Sequence, residues 1–133
     1  MTQSRAVVMA PLDAPLERWG NAGCGAVTWR TLLSGDRTPT DGLTLGVAEV
    51  PAAEARLHRH AQPEAYYILS GHGLLTIEGQ EHVLAPGATV FIPGGAWHKA
   101  KAQGPEPLRL LYVFAADSFS DVVYEFAAET PQT

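Results

Sequence analysis

The sequence predicts an all-β protein built as a sandwich or barrel, and three observations support this fold class. Thirteen Gly and ten Pro punctuate the 133 residues. They fall mostly between short runs rich in β-branched, aromatic and other apolar residues, which is typical of strands separated by turns. About ten such runs follow one another at close spacing, as in a sandwich or barrel. The length is that of one domain, and residues 1–133 are interpreted as a single domain.

Each predicted strand is a run of this kind, bounded by turn-forming residues. Between Gly73 and Leu84 the signal is clearest, because two alternating runs flank Gly79 as in a hairpin. Only Leu12–Trp19 is expected to form a turn or two of helix. The predicted strands, in chain order, are Ala26–Leu33, Leu43–Val50, Ala55–His60, Ala65–Ser70, Gly73–Glu78, Glu81–Leu84, Ala88–Ile92, Trp97–Lys101, Leu108–Phe114 and Val122–Phe126.

Composition and charge exclude several classes of partner. Nine basic and fourteen acidic residues give a formal charge of −5, which argues against nucleic acid or an anionic membrane as partner. No apolar run approaches the roughly 20 residues that a membrane span needs. The run Ala6–Ala10 is too short for the apolar part of a secretory signal. The single cysteine, Cys24, cannot form an internal disulfide, so a cytoplasmic protein is expected.

The spacing His58-x-His60-x3-Glu64, followed by a distant His98, predicts a metal site. Alternate residues of a strand share a face, so His58 and His60 are expected to point the same way. A turn at residues 61–63 allows Glu64 to return to the same interior, and His98 arrives from another strand just past a Pro-Gly-Gly turn. Three imidazoles and one carboxylate are enough to hold one divalent metal ion.

This mixed nitrogen and oxygen ligand set suits one divalent transition metal ion, with Fe, Mn, Ni and Zn as the principal candidates and Co and Cu also compatible. About one net positive charge would remain on the ion, and roughly two positions would stay open if it were octahedral. Such an ion is a Lewis acid for an anionic or bidentate oxygen ligand. The alternative is a set of surface histidines without a metal. His72 and His82 lie outside the spacing and are expected to be exposed.

Tyr66 lies two residues after Glu64 and therefore shares the ligand face of a continuous strand. An ordinary tyrosine has a pKa near 10, and a nearby dication would favour the phenolate, which could act as a base. The alternative is a tyrosine that fills the core and whose hydroxyl finds a hydrogen-bond partner.

Two segments, one that carries His58, His60 and Glu64 and one that ends at His98, resemble the two motifs of the cupin superfamily. The small members of this superfamily are double-sheet jelly rolls. The likeness runs from about Leu43 to Phe114 and includes all four ligand positions together with the motif glycines and proline. An Asn often found shortly after the last His is missing, and residues 100–102 are Ala-Lys-Ala. The resemblance implies a double-sheet jelly-roll barrel over residues 43–114, a short N-terminal arm at 1–25 and a bound metal. A fold alone implies no reaction.

Within the cupins, the chain is similar to short single-domain lyases that cleave dimethylsulfoniopropionate into dimethyl sulfide and acrylate. The similarity includes residues 42–49 and 114–124. It implies that Tyr66 is the catalytic base and that Tyr124 lines the substrate pocket. An aromatic face suits a sulfonium cation, and Tyr124 and Trp97 are the candidates for this contact. The substrate would be a small anion or zwitterion.

Two other functional classes stay open. One is a different metal-dependent cupin enzyme, an oxygenase or isomerase acting on a small oxygen-rich acid. The other is a non-catalytic cupin that binds a small ligand. Because small cupins are usually dimers, a homodimer is expected, with the region up to Leu33 packed or exchanged between subunits. Trp19, Trp29 and Leu32 are the candidate apolar contacts, and sheet edges that need covering favour such a contact.

Overall fold

The computed structural model describes residues 4–10, 12–20, 25–53 and 55–128, and Cys24 lies outside them. Within these ranges the regular structure is β-strand, with one short 3-10 turn at Phe119–Asp121. No helix in the described part of the chain is long and apolar enough to cross a membrane. The strands are β1 (Glu17–Arg18), β2 (Thr28–Leu33), β3 (Thr44–Val50), β4 (His58–Arg59), β5 (Glu64–Ser70), β6 (Gly73–Ile77), β7 (Gln80–Leu84), β8 (Thr89–Ile92), β9 (His98–Ala102), β10 (Leu108–Phe114) and β11 (Glu125–Phe126).

The strands form two antiparallel sheets. One has the order β1-β2-β3-β10-β5-β8, and the other has the order β11-β4-β9-β6-β7. In the larger sheet β10 pairs with β3 along its whole length and with β5 on its other side. The predicted double-sheet jelly roll is confirmed.

The core lies between the sheets and follows the period-two alternation of the strands. Side chains along β10 alternate between buried and outward-facing positions, with Leu108 and Phe114 at most 1% exposed. Ile68, Leu75 and Ile92 are fully buried against them. Burying a side chain of this size stabilises a fold by about 1.5–3 kcal/mol, so this inner layer holds the two sheets together.

The predicted hairpin is present between β6 and β7. Its five residue pairs run from Gly73 opposite Leu84 to Ile77 opposite Gln80. The two turn residues, Glu78 and Gly79, have φ values of 48° and 80°. A two-residue turn with both φ angles positive matches the twist of the flanking strands, and glycine adopts this conformation without steric cost.

The helix expected at Leu12–Trp19 is wrong. Glu17 and Arg18 instead form β1 and pair with Trp29 and Thr28 of β2. A short helix is stable only when its apolar face packs, and Leu12 is 78% exposed. The pairing with β2 and the packing of the half-buried Trp19 against other aromatic rings decide the local structure instead.

The predicted strand Ala55–His60 is also shorter than expected, and only His58–Arg59 pairs as β4. On one side β4 pairs with β11. Of the predicted strand Val122–Phe126, only Glu125–Phe126 forms a strand, and this strand is β11. Arg59 of β4 and Glu125 of β11 form a two-point ion pair, with nitrogen–oxygen distances of 3.0 and 3.1 Å. The C-terminal segment is thereby fixed beside the strand that carries the first motif histidine.

Ser34 ties the same C-terminal segment to the end of β2. Its side chain is buried, and its hydroxyl oxygen accepts a hydrogen bond of 2.9 Å from the backbone N–H of Phe119. The hydroxyl also donates to the carboxylate of Asp36, and this hydrogen bond is the largest cause of a lowered pKa for Asp36. Asp36 is therefore ionised, and its carboxylate helps to hold the Ser34 hydroxyl in place beside the C-terminal segment.

Candidate active site

The histidines of the predicted metal motif converge between the two sheets. His58 of β4 lies directly opposite His98 of β9 in the strand register, which sets their ring centroids 4.3 Å apart. His60 follows just after β4, with its ring centroid 5.1 Å from that of His98. One ring nitrogen from each residue lies within 4.8 Å of the others. These three histidines could hold a metal ion.

Backbone carbonyls fix the tautomer of each imidazole. The Nδ1 atom of His58 lies 3.0 Å from the oxygen of Arg56, and that of His98 lies 2.8 Å from the oxygen of Ala96. The Nδ1 atom of His60 lies 2.9 Å from the oxygen of Gln62. A carbonyl can only accept, so Nδ1 carries the proton in each ring. In a neutral imidazole the Nε2 lone pair is then free, as in metal-binding histidines whose other nitrogen donates to an outer partner.

Glu64 opens β5 and is buried beside two of these imidazoles. Its Oε1 atom lies 3.2 Å from Nε2 of His60 and 3.4 Å from Nε2 of His98. Burial acts to raise the pKa of Glu64, but the nearby imidazoles of His60 and His98 outweigh it and leave that pKa below its usual value. Glu64 is therefore an ionised carboxylate at the centre of the cluster.

The protonation states fit a divalent metal ion. Burial, followed by the charge of His98, lowers the pKa of His58 to about 4, so this ring is neutral at neutral pH. The buried Nε2 atom of His98 has no hydrogen-bond partner within the described residues. An unpaired buried nitrogen is costly in a fold, and coordination to a metal would satisfy it. The four predicted ligand residues thus present donors of the types that transition metals bind.

A cavity of about 80 Å³ adjoins His58 and Glu64. A buried water molecule needs about 10–15 Å³ of such cavity volume. The cavity therefore accommodates a ligand of a few heavy atoms. Its walls are mainly apolar and aromatic, which is typical of small-molecule sites with a few placed polar groups. The side chains that line it are those of Trp19, Val27, Trp29, Ala48, Val50, Ala55, Arg56, His58, Glu64, Tyr66, Ala100, Leu110, Tyr112, Phe119, Tyr124 and Phe126.

Both tyrosines singled out from the sequence line this cavity. Tyr66 follows Glu64 by two residues on β5 and is buried on the same face. The ring of Tyr124 lies 5.2 Å from the ring of His58 and 5.2 Å from that of His60. Burial, followed by the negative charge of Glu64, raises the pKa of both tyrosines well above 10. The protein surroundings alone therefore favour the neutral phenols.

Trp97 lies elsewhere. It precedes His98, whose side chain points inward, and it is not among the residues that line the cavity. The guanidinium of Arg59 lies 4.4 Å from the centroid of the Trp97 ring instead. We therefore leave Trp97 out of the proposed substrate pocket. His72 and His82 are exposed, as expected.

Aromatic residues that the sequence did not mark as site residues complete the cavity. Trp19 packs against Trp29 at 5.0 Å, Tyr124 at 4.9 Å and Phe126 at 5.4 Å between ring centroids. Trp19 and Trp29, the candidate apolar contacts of a dimer, lie in the cavity wall. The pairing of β1 with β2 and of β11 with β4 helps to bring these rings together, and both pairs are too short to be read from sequence periodicity.

Arg56 is a charged residue of the cavity wall that the sequence did not indicate. It lies in the loop before β4 and lines the cavity together with His58 and Glu64. Its position two residues before a motif histidine was the available signal. An arginine in a loop, however, usually faces solvent.

Residues 47–114 match the cupin domain family, and the chain belongs to this family. Dimethylsulfoniopropionate lyase DddW from Ruegeria pomeroyi is 41% identical over 117 residues, which cover 87% of this chain and 76% of the lyase. This relationship confirms the prediction of an enzyme. Uncharacterized protein MJ1618 from Methanocaldococcus jannaschii is 37% identical over 70 residues, covering 51% of this chain and 56% of that protein.

Solved structures agree on the fold. The polyketide cyclase RemF from Streptomyces resistomycificus superposes with a TM-score of 0.78 at 22% identity, covering 95% of this chain and 88% of RemF. A structure from the work on the DMSP lyases RdDddP and RnDddQII superposes with a TM-score of 0.72 at 21% identity, covering 86% of this chain and 63% of that chain. At such low identity these likenesses show a shared jelly roll and no more.

Proposed function

We propose that the protein is a metal-dependent lyase that cleaves dimethylsulfoniopropionate into dimethyl sulfide and acrylate by β-elimination. One observation carries the proposal. Tyr66 and Tyr124 line a single small cavity together with His58 and Glu64, so the proposed base, an aromatic wall and candidate metal ligands all face one cavity. The relationship to the lyase from Ruegeria pomeroyi supports this choice of substrate.

His58, His60, Glu64 and His98 are the proposed ligands of one divalent ion, with Fe, Mn, Ni and Zn as candidates. Once bound, such an ion would supply Lewis-acid chemistry toward the substrate carboxylate and positive charge that opposes the effect of Glu64 on Tyr66. Contacts with backbone carbonyls hold the three imidazoles of this donor set in place.

Tyr66 is the proposed general base. In the elimination, its phenolate oxygen takes the proton from the carbon next to the substrate carboxylate. The electron pair of that C–H bond becomes the carbon–carbon double bond of acrylate. The bond between the β-carbon and sulfur breaks, and its electrons leave with neutral dimethyl sulfide. One proton remains on Tyr66 and returns to solvent, so atoms and charge balance.

The aromatic wall suits the other end of the substrate. A sulfonium cation is attracted to the faces of Trp and Tyr rings, and Trp19, Trp29 and Tyr124 form a contiguous group in the cavity wall. The uncharged dimethyl sulfide product loses this attraction. The same residues therefore bind the substrate more strongly than the leaving group.

The test is the release of dimethyl sulfide into the headspace from purified protein loaded separately with Fe(II), Mn(II), Ni(II) or Zn(II). Tyr66→Phe is compared with Tyr67→Phe, a matched control on the outward face of β5, where Tyr67 is 46% exposed. We expect Tyr66→Phe to retain its metal and to lose activity by about 10²–10⁴-fold, the usual contribution of a general base. Tyr67→Phe should behave like the wild type.

Two results would contradict the proposal. Full activity of Tyr66→Phe would remove the tyrosine from the role of base. No release from wild-type protein with a measured metal content would reject the lyase assignment, and another metal-dependent reaction on a small acid would then be the next to assay.

A further inference from the structure

We propose that Arg56 binds the carboxylate group of the ligand and fixes which end of it faces the metal centre. This inference deepens the proposed function, since it takes the same cavity as the substrate site. It names the ligand class as short monocarboxylates, including zwitterions with a cationic far end. Nothing in the motif spacing assigned a role to this residue.

The guanidinium of Arg56 is held in one orientation. Its Nε and Nη2 atoms both donate to the backbone oxygen of Ala127, at 3.1 and 2.8 Å. Its carbon Cζ lies 5.3 Å from the centroid of the Phe126 ring. Two contacts with the C-terminal segment therefore immobilise the group, and an immobilised guanidinium loses less conformational entropy when it binds a ligand.

The rest of the group is available for a ligand. A guanidinium has five N–H donors, and the contacts with Ala127 involve only its Nε and Nη2 atoms. Within the described ranges, Nη1 of Arg56 makes no hydrogen bond and the side chain has no carboxylate partner. By contrast, three other arginines lie within 4.0 Å of a glutamate carboxylate. These pairs are Arg37 with Glu17, Arg59 with Glu125 and Arg109 with Glu49.

The position of the Arg56 guanidinium indicates which kind of group would pair with it. Arg56 is half-buried and shares the cavity lining with His58 and Glu64 at one end and with aromatic rings elsewhere. Arginine forms strong, geometrically defined hydrogen bonds with carboxylates. A carboxylate placed between His58 and Arg56 would satisfy these donors without a second acidic side chain from the protein.

The same charge sets the orientation of a zwitterion. A sulfonium group close to the guanidinium would be repelled by its like charge, whereas the Trp19–Tyr124 side of the cavity would attract it. The carboxylate then faces Arg56 and the proposed metal ligands. Arg56 is thus assigned as a binding residue that selects anionic ligands.

The experiment measures binding without turnover. Zinc-loaded wild type, Arg56→Gln and Arg109→Gln are titrated with acrylate and with its neutral analogue acrylamide by isothermal calorimetry. Arg109 is the matched control, because it lies on the outward face of β10, pairs with Glu49 and does not line the cavity. We expect Arg56→Gln to weaken acrylate binding by about 10- to 100-fold, as for the loss of charged hydrogen bonds. Acrylamide binding should change little, and Arg109→Gln should match the wild type.

A second measurement covers the case in which Arg56→Gln fails to fold. In wild-type protein, the Nε–Hε resonance of Arg56 in a nitrogen–proton correlation spectrum should shift on saturation with acrylate and not with acrylamide. An unchanged resonance, or equal acrylate affinity in wild type and Arg56→Gln, would overturn the inference, as would the absence of any acrylate binding. Arg56-dependent binding in a protein that releases no dimethyl sulfide would reject the lyase assignment and keep the carboxylate site.

Discussion

Gly46 is the point at which β3 leaves no room for a side chain, and its replacement by alanine tests the packing around the cavity. A Cβ atom at this position would lie 2.2 Å from the hydroxyl oxygen of Tyr112 and 2.4 Å from the backbone oxygen of Arg30. Tyr112 is itself held by a hydrogen bond of 2.9 Å between its hydroxyl and that of Thr31. Gly46→Ala must therefore displace Tyr112 and push against the backbone of β2.

The size of the effect follows from these contacts. Overpacking in a core costs about 1–3 kcal/mol, and losing the buried Tyr112–Thr31 hydrogen bond adds about 0.5–1.5 kcal/mol. We expect the free energy of unfolding to fall by about 1.5–4.5 kcal/mol. With an unfolding entropy of about 2.1 cal/mol/K per residue, a chain of 133 residues should show a decrease in Tm of about 5–16 °C.

Differential scanning calorimetry of Gly46→Ala and Gly20→Ala measures this effect. Gly20 is the control, because a Cβ atom there would have no neighbour within 4 Å. A decrease in Tm for Gly46→Ala no larger than that for Gly20→Ala would show that the sheet yields without cost and would refute the close-contact reasoning. Because Tyr112 also lines the cavity, Gly46→Ala should weaken acrylate binding as well.

Three further predictions concern the metal, acid stability and the core. Glu64→Gln should weaken Zn(II) binding by at least about 10- to 100-fold, the range seen when even outer metal partners are lost; competition with a chelator measures this, and an unchanged affinity would exclude the carboxylate as a ligand. The hydrogen bond from Ser34 lowers the pKa of Asp36, so its stabilising effect is present above the unfolded pKa near 3.9 and is lost as pH falls through the folded pKa. Asp36→Asn should therefore be less stable than wild type in urea at pH 7, and this difference should shrink as the pH is lowered below about 3.9; a difference that does not shrink would contradict this. Leu75 is fully buried, and Leu75→Ala should lower the free energy of unfolding in urea by about 2–5 kcal/mol, whereas the 75% exposed Val83 should tolerate alanine with little change; equal losses would refute the assigned core.

The parts of the fold that could be predicted are those set by local sequence. Each long strand carries its own alternation of buried and outward residues, and the Gly79 hairpin carries its own turn chemistry. The segment Leu12–Trp19 has no such local signal. Its structure depends on pairing with β2, a contact between residues that a single sequence does not connect.

The candidate site divides in the same way. The proposed ligand residues His58 and Glu64 could be singled out because their spacing along the chain is short and chemically specific. Trp19 and Arg56 were not, because their places in the cavity wall depend on contacts with Tyr124, Phe126 and the backbone of Ala127. Two tryptophans beside strands are indistinguishable by periodicity, although the structure places Trp19 in the cavity wall and Trp97 outside the cavity, against an arginine.

The carbonyl contacts of the three motif imidazoles have a consequence for how the fold and the ion depend on each other. Because His58, His60 and His98 each place Nδ1 against a backbone carbonyl, their Nε2 atoms and the carboxylate of Glu64 face one small volume. Gathering polar groups in a buried volume opposes folding, as activity and stability often compete within one site. Because the imidazole rings are already oriented, ordering them would cost little free energy when a cation binds. Most of the binding free energy of an ion at this site would then be available to stabilise the native chain, so a bound ion would be a structural component of the jelly roll.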